Sequence, residues 1–407
     1  MSFEDNLQKL TDVAIKVGLG LQPGQKLLIW ASLDMAPMVH KAVRAAYRAG
    51  ATYVRVDWED ETVTRIRFEE APAGSFHHIP QSHYEEAYVH LKEGNALLSL
   101  SSPNPTLMDG IDPDFVSVNQ RAKMEAMKPI RELGDVYNWL VMSPPTPGWA
   151  QKIFPKLPVD EAVERLWELT FELSRINHDD PVTIWHQHKA DLKARAAYLT
   201  DKAYHTLHYT SPGTDLMVGL AEQHVWLGGG ATTRGGIEFV PNIPTEEVFT
   251  MPHRERIDGV VTSTKPLIFG GALIDNFSLT FKDGRVVDVK AETGEKILRD
   301  LIESDEGAAS LGEAALLPHS SPISQSGLIF YNTLYDENAS CHLALGLAYR
   351  ASTKNGDSLS PDEFAARGGN TSIVHVDFMI GSDALNIDGI AHDGSREAVM
   401  RAGEWAF

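Results

Sequence analysis

The sequence predicts an N-terminal α/β domain with a mostly parallel sheet, followed by a β-rich α+β C-terminal domain. Three observations support this fold class. Helix and strand patterns alternate up to about residue 185, strand patterns dominate after it, and the 407 residues have a globular composition, 43% hydrophobic and 23% charged. This length is enough for two or three domains. We expect the domains to span residues 1–185 and 186–407.

The N-terminal half repeats a helix–strand unit. The helical spacing of NLQKLTDVAIKVGL precedes the strand QKLLIWAS, and the helix MAPMVHKAVRAAYRAG precedes the strand ATYVRVDW. The pairs EEAYVHLKEG with NALLSLSSPNP, and AKMEAMKPIRELGD with YNWLVM, continue the alternation, which is typical of a parallel sheet covered by helices. The loops SSPNPT and SPPTPG follow two of these strands, and they either line a cleft or form rigid surface turns.

The C-terminal half begins with the helical segment HKADLKARAAYLTDK and then becomes strand-rich. Strands are expected in AYHTLHYTS, DLMVGLA, HVWLGG, GIEFVPN, GVVTSTKPLIFGGAL, DNFSLTFKDGRVVDVKAE and SIVHVDFMIG. Two helices are predicted in the last third, around Lys296–Ile302 and Cys341–Tyr349. Runs of strands mixed with a few helices indicate an α+β arrangement.

The charge balance and the single cysteine restrict the classes of function. The formal net charge of −20 opposes phosphate backbones and anionic lipid surfaces, so neither nucleic acid nor a membrane is an expected partner. The single cysteine, Cys341, excludes an internal disulfide and a cysteine-rich zinc site. The acidic, amphipathic start is unlike a signal peptide, and no run of about 18 apolar residues occurs. We therefore expect a cytoplasmic protein.

The strand SIVHVDFMIGS carries an unusual pair of polar side chains. Its apolar residues alternate on one face, while His375 and Asp377 lie together on the other. A neutral imidazole and a carboxylate are ligands for zinc, cobalt or manganese. The pair is therefore either part of a metal site or a buried histidine–aspartate hydrogen bond.

The segment YDENASCHLALGLAYR adds a second histidine. If it is helical, His342, Leu345 and Tyr349 recur at helical spacing and face inward, with Glu337 just before the helix. His342 is then either a buried packing residue or a metal ligand. Its neighbour Cys341 would diverge from it by about 100° on a helix, which argues against a cysteine–histidine nucleophile pair.

Carboxylates in apolar surroundings complete the candidate set. Glu313 interrupts the apolar run ASLGEAALLP, and Glu246 and Glu247 lie between prolines in a strand-like segment. Such carboxylates must be paired, metal-bound or protonated. Glu246 and Glu247 would project to opposite faces, so one of the two is expected to enter a site. These side chains suit two adjacent divalent ions that share a bridging carboxylate, the equipment of a metallohydrolase.

A family resemblance sharpens this hypothesis. The motifs LHYTSPGTDLMVGL, GIEFVPNIPTEEVFTMP, SLGEAALLP, YDENASCHLALGLAYR and HVDFMIGS occur in that order. Together they resemble the thermophilic metallo-aminopeptidase family, which includes aminopeptidase T, aminopeptidase S and PepS. The resemblance covers the second half closely, whereas the first half is similar in its strand–helix order and carries weaker signatures.

The resemblance implies a set of site residues. The implied metal ligands are Glu247, Glu313, His342, His375 and Asp377. Glu313 would be the bridging carboxylate and Glu337 a further ligand. Tyr349 would assist catalysis as a weak ligand or as a hydrogen-bond donor, and Glu246 would shuttle a proton if its strand bends.

The resemblance also implies cofactors and partners. It predicts a cytosolic exopeptidase that releases N-terminal amino acids from short peptides with two divalent metal ions, zinc or cobalt, with magnesium possible. Family members are similar in forming homodimers with enclosed active sites. Two alternatives stay open at this point: a metal-dependent amidohydrolase or esterase acting on another small carbonyl substrate, and a peptide-binding protein that has lost catalysis.

Overall fold

The structure, a computed structural model, describes residues 2–269 and 272–407. Many helices begin with the capping signals that the sequence supplies. The first helix is capped by Ser2 and Asp5, whose side chains bond reciprocally to each other's backbone N–H groups. The α-helices are α1 Phe3–Val13, α2 Ala36–Arg48, α3 Glu61–Glu70, α4 Gln81–Lys92, α5 Pro113–Arg131, α6 Pro147–Ile153, α7 Val159–Leu173, α8 Pro181–Lys202, α9 Glu295–Ile302, α10 Pro322–Gln325, α11 Thr333–Asp336 and α12 Pro361–Ala366.

The strands divide into a parallel and an antiparallel set. They are β1 Lys26–Ser32, β2 Tyr53–Glu59, β3 Ala96–Leu100, β4 Trp139–Met142, β5 Thr206–Ser211, β6 Thr214–Leu220, β7 Leu227–Gly228, β8 Ala231–Thr232, β9 Glu238–Phe239, β10 Asn242–Ile243, β11 Val248–Thr250, β12 Pro252–Thr262, β13 Leu267–Phe269, β14 Ala272–Lys282, β15 Arg285–Thr293, β16 Leu311–Leu316, β17 His342–Gly346, β18 His375–Met379, β19 Asn386–Ile390, β20 Arg396–Arg401 and β21 Glu404–Trp405.

The chain forms two compact units. The first comprises residues 1–188 and 230–244, and the second comprises 189–229 and 245–407. The first unit therefore includes a segment, 230–244, that lies after residue 185 in the sequence. This segment supplies β10, a short strand that pairs with β4.

The first unit contains the predicted parallel sheet. Its strand order is β10-β4-β3-β1-β2, and the neighbouring strands pair in parallel. Apolar side chains of β1 and β3 are fully buried and pack with those of α1 and α2, which explains why these strands read as apolar runs. The predicted mixed α/β fold is confirmed in this respect.

The second unit consists mainly of two antiparallel sheets. One has the order β18-β17-β16-β11-β7, and the other has the order β13-β14-β12-β6-β5-β19-β20-β21, with β15 paired to β14. One hydrophobic core contains buried side chains from both sheets, including Leu216 and Val218 of β6 and Leu343 and Leu345 of β17. The two sheets are thus layers around a common core.

One secondary-structure prediction is wrong. The segment predicted as a helix over Cys341–Tyr349 contains the strand β17, which lies between β16 and β18. All five residues of β17 are buried, so its sequence shows no alternation that could distinguish a strand from a buried helix. The other predicted helix of the last third, around Lys296–Ile302, is confirmed by α9.

Among the residues that the structure describes, no helix combines the length and the apolar character needed to cross a bilayer.

Candidate metal centre

The face of the β18-β17-β16-β11 sheet that points away from the hydrophobic core carries the predicted polar side chains. Asp377 of β18 is paired with Ala344 of β17, which is paired in turn with Glu313 of β16. These three residues therefore form one row across the sheet. Because side chains alternate along a strand, His375 and His342, each two residues before a member of the row, lie on the same face. The opposite face of β18 packs on the core through Phe378, as the alternation predicts.

The first group of side chains consists of Glu247, Glu313 and His342. Their ligand-type atoms lie within 4.8 Å of one another. His342 Nε2 is 3.1 Å from Glu247 Oε2 and 3.5 Å from Glu313 Oε1. The imidazole is 1% exposed, so the group lies in a site from which water is largely excluded.

The second group consists of Glu313, His375 and Asp377, whose ligand-type atoms also lie within 4.8 Å of one another. His375 Nε2 is 3.5 Å from Asp377 Oδ1 and 3.9 Å from Glu313 Oε2. Glu313 thus belongs to both groups and turns one carboxylate oxygen toward each histidine. This is the placement expected of a carboxylate that bridges two cations.

Backbone carbonyls orient both imidazoles. The Nδ1 of His342 lies 3.1 Å from the carbonyl oxygen of Ser340, and the Nδ1 of His375 lies 2.7 Å from that of Leu347. A carbonyl oxygen can only accept a hydrogen bond, so we assign the Nδ1–H form to both neutral rings. Each Nε2 then directs a lone pair toward carboxylate oxygens. This arrangement requires a cation, either a metal ion or a proton, between the nitrogen and the oxygens.

One carboxylate oxygen in each ligand group lacks a hydrogen-bond donor from the described residues. Glu247 Oε2 and Asp377 Oδ1 are buried without a hydrogen-bond partner among the described residues. Burial, together with the charges of Asp377 and Glu247, raises the pKa of Glu313 to about 7. Buried carboxylates with unpaired oxygens beside imidazole lone pairs form a nitrogen and oxygen donor set that fits zinc or a similar divalent ion.

Without a metal ion, protons would bind between the histidine Nε2 atoms and the carboxylate oxygens. Burial lowers the pKa of His375, but the carboxylate of Asp377 outweighs it and raises that pKa to about 9. Burial likewise opposes the charged form of His342, yet Glu247 and Glu313 hold its pKa well above the usual range. Metal ions and protons therefore compete for the same nitrogen atoms.

Small residues leave space above the sheet. Ala344 lies between Glu313 and Asp377 in the row, where a larger side chain would project between the two carboxylates. Gly346 has a φ of +101°, and a Cβ there would approach the carbonyl oxygen of Val374 to 2.2 Å. The strand geometry beside His375 thus depends on a glycine.

Tyr349 lies at the edge of the centre. Its ring centroid is 4.8 Å from that of His375 and 6.1 Å from that of Phe249. Although 46% of the residue is exposed, the phenol group is partly desolvated. This desolvation and the nearby charges of Glu313 and Asp377 raise its pKa well above the usual value, so the phenol remains a neutral hydrogen-bond donor.

Two predicted glutamates lie outside both ligand groups. Glu337 belongs to a short 3-10 turn, and burial and the charge of Glu247 raise its pKa well above the usual value. Glu246 is 4% exposed and donates its backbone N–H to Asn338 Oδ1 at 2.8 Å. Of the neighbours Glu246 and Glu247, only the side chain of Glu247 is part of a ligand group.

The structure corrects how His342 is presented. It does not share a helical face with Leu345 and Tyr349; it lies in β17, and Leu345 points to the core. Cys341 and His342 still form no catalytic pair, because the side chain of Cys341 packs in the hydrophobic core whereas that of His342 belongs to a ligand group. The Cys341 thiol instead donates to the carbonyl oxygen of Leu317.

Sequence reasoning missed the groups that hold the ligands in place. The side chain of Asn338 is fully buried, accepts from the backbone N–H of Glu246 and donates to the carbonyl oxygen of Leu334 at 2.9 Å. It therefore links the segment before β11 to the segment that carries Glu337. A buried asparagine beside an acidic residue, as in the motif YDENAS, was the available sequence signal.

The mixed α/β fold and this donor set define a metal-dependent enzyme, and comparison with known proteins identifies its family. The chain belongs to the thermophilic metalloprotease (M29) family, whose model matches residues 3–405. The predicted family resemblance is thereby confirmed.

Several curated relatives match over the full length. Aminopeptidase 2 of Geobacillus stearothermophilus is 47% identical over 407 residues, covering 100% of this chain and 98% of the relative. Aminopeptidase AmpS of Bacillus subtilis (strain 168) is 45% identical, with 100% of both chains covered. The solved structure of wild-type AmpT from Thermus thermophilus superimposes with a TM-score of 0.94 at 42% identity, again covering 100% of both chains.

Proposed function

We propose that this metallo-aminopeptidase binds two divalent metal ions, one in each ligand group, with Glu313 as the bridging ligand. The observation that carries the proposal is the pair of Nδ1-protonated imidazoles, whose Nε2 atoms face carboxylate oxygens without an intervening donor. The proposed ligands are Glu247, Glu313, His342, His375 and Asp377. Zinc or cobalt fits this nitrogen and oxygen donor set, and magnesium is a weaker alternative because it prefers oxygen ligands.

The chemistry follows from what such ions do when bound: they polarise a carbonyl group and lower the pKa of a water molecule. The protein residues bind the ions and orient the substrate. We propose that the neutral phenol of Tyr349 donates a hydrogen bond to the oxygen that becomes negative in the transition state. Its place beside the ring of His375 puts it at the edge of the second group.

A carboxyl group outside the ligand set is needed to carry a proton to the leaving amine. Glu246 is the candidate from the sequence. Glu337 is a second candidate, since its carboxyl group interacts electrostatically with Glu247, Asp377 and Glu313 and its pKa is raised. The variants Glu246→Gln and Glu337→Gln distinguish the two candidates. Substitution of the residue that carries the proton should lower kcat strongly and leave the metal content unchanged.

We further propose a division of roles along the chain. Residues 186–407 would form the catalytic metal-binding domain, except for the segment 230–244, which belongs to the first compact unit, and residues 1–185 would form an accompanying α/β domain. The protein would be a cytoplasmic homodimer that acts on short peptides. Light scattering in solution tests the dimer, and a series of leucyl peptides of increasing length tests the limit on substrate size.

Hydrolysis of leucine-p-nitroanilide before and after EDTA treatment tests the metal dependence. We expect activity to be lost with EDTA and restored by zinc, cobalt or magnesium. Metal analysis should find two ions per chain in the native protein. His375→Ala should abolish activity, whereas the exposed His178→Ala should not.

N-acetyl-leucine-p-nitroanilide serves as the second substrate. Because an aminopeptidase requires a free α-amine, it should not be cleaved. Equal cleavage of both substrates would instead indicate the amidohydrolase alternative. A folded protein that binds metal and cleaves neither substrate would contradict the proposed function.

A further inference from the structure

The chain turns where β17 ends, and this turn carries the carbonyl group that orients His375. We call residues 346–348 the Gly346 turn. Gly346 has a φ of +101°, and the carbonyl oxygen of Leu347 lies 2.7 Å from His375 Nδ1. Tyr349 directly follows the turn. The orientation of the His375 ring and the path of the chain into Tyr349 therefore depend on what holds the Gly346 turn.

Both backbone and side-chain groups hold the Gly346 turn. The N–H of Gly346 donates to the carbonyl oxygen of Ser310 at 2.8 Å, and the N–H of Leu347 donates to that of Val374 at 2.7 Å. Any residue type could make these two bonds, since they join backbone atoms. The carbonyl oxygen of Gly346 differs, because it accepts from the side-chain Nδ2 of Asn370 at 2.6 Å. This bond depends on one particular side chain.

Asn370 is buried and joins three segments of the chain. It is 3% exposed, and its Nδ2 also donates to the carbonyl oxygen of Gly307 at 2.8 Å and lies 3.5 Å from that of Ser310. Carbonyl oxygens only accept, so we assign the amide nitrogen, not the oxygen, to this position. Its backbone carbonyl oxygen accepts from the N–H of Ala348 at 3.0 Å. Asn370 thus connects the segment before β16, the end of β17 and the segment before β18.

These segments lead into the strands of the second ligand group. The strand β16 carries Glu313, and β18 carries His375 and Asp377. The histidine of the first group, His342, begins β17, whereas the Gly346 turn follows at the opposite end of that strand. The hydrogen bonds of Asn370 are therefore placed to act on the second group in preference to the first.

We propose that Asn370 is a positioning residue of the second ligand group: its side-chain amide holds the Gly346 turn so that the carbonyl oxygen of Leu347 fixes the ring of His375. This inference rests on the proposed metal centre. Removing the amide leaves the carbonyl oxygens of Gly346 and Gly307 without this donor in a buried place. The turn then relaxes and the His375 ring loses its fixed orientation, which weakens binding of the ion in the second group and leaves the first group intact.

Cobalt titration of the EDTA-treated, full-length protein tests the proposal, with visible absorption as the readout of ligand geometry. The wild type should bind two ions. Asn370→Ala should bind the ion of the second group about tenfold more weakly, since outer-shell partners of a ligand typically contribute about 10–100-fold to metal affinity, and should keep the affinity of the first ion. At one equivalent of cobalt, its spectrum should match that of His375→Ala, which removes a ligand of the second group.

The matched control is Asn138→Ala, which removes a fully buried asparagine of the first unit. The Nδ2 of Asn138 donates to the carbonyl oxygen of Leu19 at 2.7 Å, so this variant also loses a buried hydrogen bond between a side chain and the backbone. It should lower the free energy of unfolding and leave both cobalt affinities unchanged. The comparison separates a loss of stability from a loss of ligand orientation.

Two results would overturn the proposal. One is that Asn370→Ala binds both ions as tightly as the wild type, and the other is that it binds both more weakly to the same extent, which indicates a general structural role. A wild type that binds fewer than two cobalt ions would instead contradict the proposed function, and this inference with it. If Asn370→Ala does not fold, Asn370→Ser takes its place. The serine side chain is too short to reach Gly346 as the amide does, so unchanged cobalt binding by Asn370→Ser would also overturn the proposal.

Discussion

Replacing Glu313 by glutamine should stabilise the metal-free protein at pH 8, although it removes a proposed ligand. In the folded protein without metal, burial and neighbouring carboxylates raise the pKa of Glu313 from 4.5 to about 7. A group whose pKa is raised on folding contributes stability that is fully present below its unfolded pKa and lost as the pH rises through its folded pKa. The loss should therefore occur between about pH 4.5 and pH 7.

The size of the effect follows from the shift. A change of one pKa unit corresponds to about 1.4 kcal/mol, so the shift of Glu313 corresponds to about 3 kcal/mol. Glutamine has a similar shape and does not titrate. In EDTA, Glu313→Gln and the wild type should therefore have similar free energies of unfolding near pH 4.5. At pH 8 the variant should be more stable by about 3 kcal/mol, measured by urea unfolding at both pH values.

Bound metal should make the wild type more stable than Glu313→Gln at pH 8. A ligand that binds only the folded state stabilises it by about 2.7 kcal/mol at a concentration of 100 times Kd. The wild type should gain this stabilisation from added zinc or cobalt, and Glu313→Gln should gain much less. If the variant is less stable than the wild type at pH 8 in EDTA, or if the difference does not depend on pH, the assignment of Glu313 as a buried, uncompensated carboxylate is refuted.

Three further predictions concern Asn338, Gly346 and His224. Asn338→Ala leaves buried groups without partners and should lower the free energy of unfolding by about 2 kcal/mol and weaken metal binding, as measured by urea unfolding and chelator competition. Gly346→Ala should cost about 1–3 kcal/mol because its Cβ would collide with the carbonyl oxygen of Val374, whereas Gly327→Ala, also at positive φ but in open space, should cost less. Burial lowers the pKa of His224, so the stability it contributes is present above about pH 6.5 and lost as the pH falls toward its folded pKa. The wild type should therefore lose more unfolding free energy than His224→Gln between pH 7.5 and pH 5.5, and equal losses would contradict this reading.

The sequence predicted the parallel sheet well because its signals are local. The strands β1 to β4 are separated from one another by helices, and this alternation is characteristic of α/β folds. The return of residues 230–244 to the first unit has no such signal. The strand β10 is only two residues long, and its pairing with β4 depends on chain geometry that no local pattern encodes.

The candidate site was predictable in residue types and less so in geometry. The alternation of His375 and Asp377 in a half-buried strand is a period-two pattern, and the structure places both on one face. Glu313 was identified because an isolated carboxylate in an apolar run must be compensated. The structure adds what spacing could not provide: the two oxygens of Glu313 lie toward two different histidines.

The strand β17 was predicted as a helix, yet its residue His342 was correctly identified as a candidate for the site. Its residue His342 belongs to one ligand group, and its Ala344 leaves room between the carboxylates of both strands beside it. The backbone that flanks it orients both imidazoles, since Ser340 precedes it and Leu347 follows it. These two roles use carbonyl oxygens, which every residue type supplies, so no side-chain pattern could reveal them. The geometry of the centre thus depends on the backbone of one short, fully buried strand. Gly346 ends this strand at a positive φ that other residues disfavour, so a small substitution there should disturb the centre most.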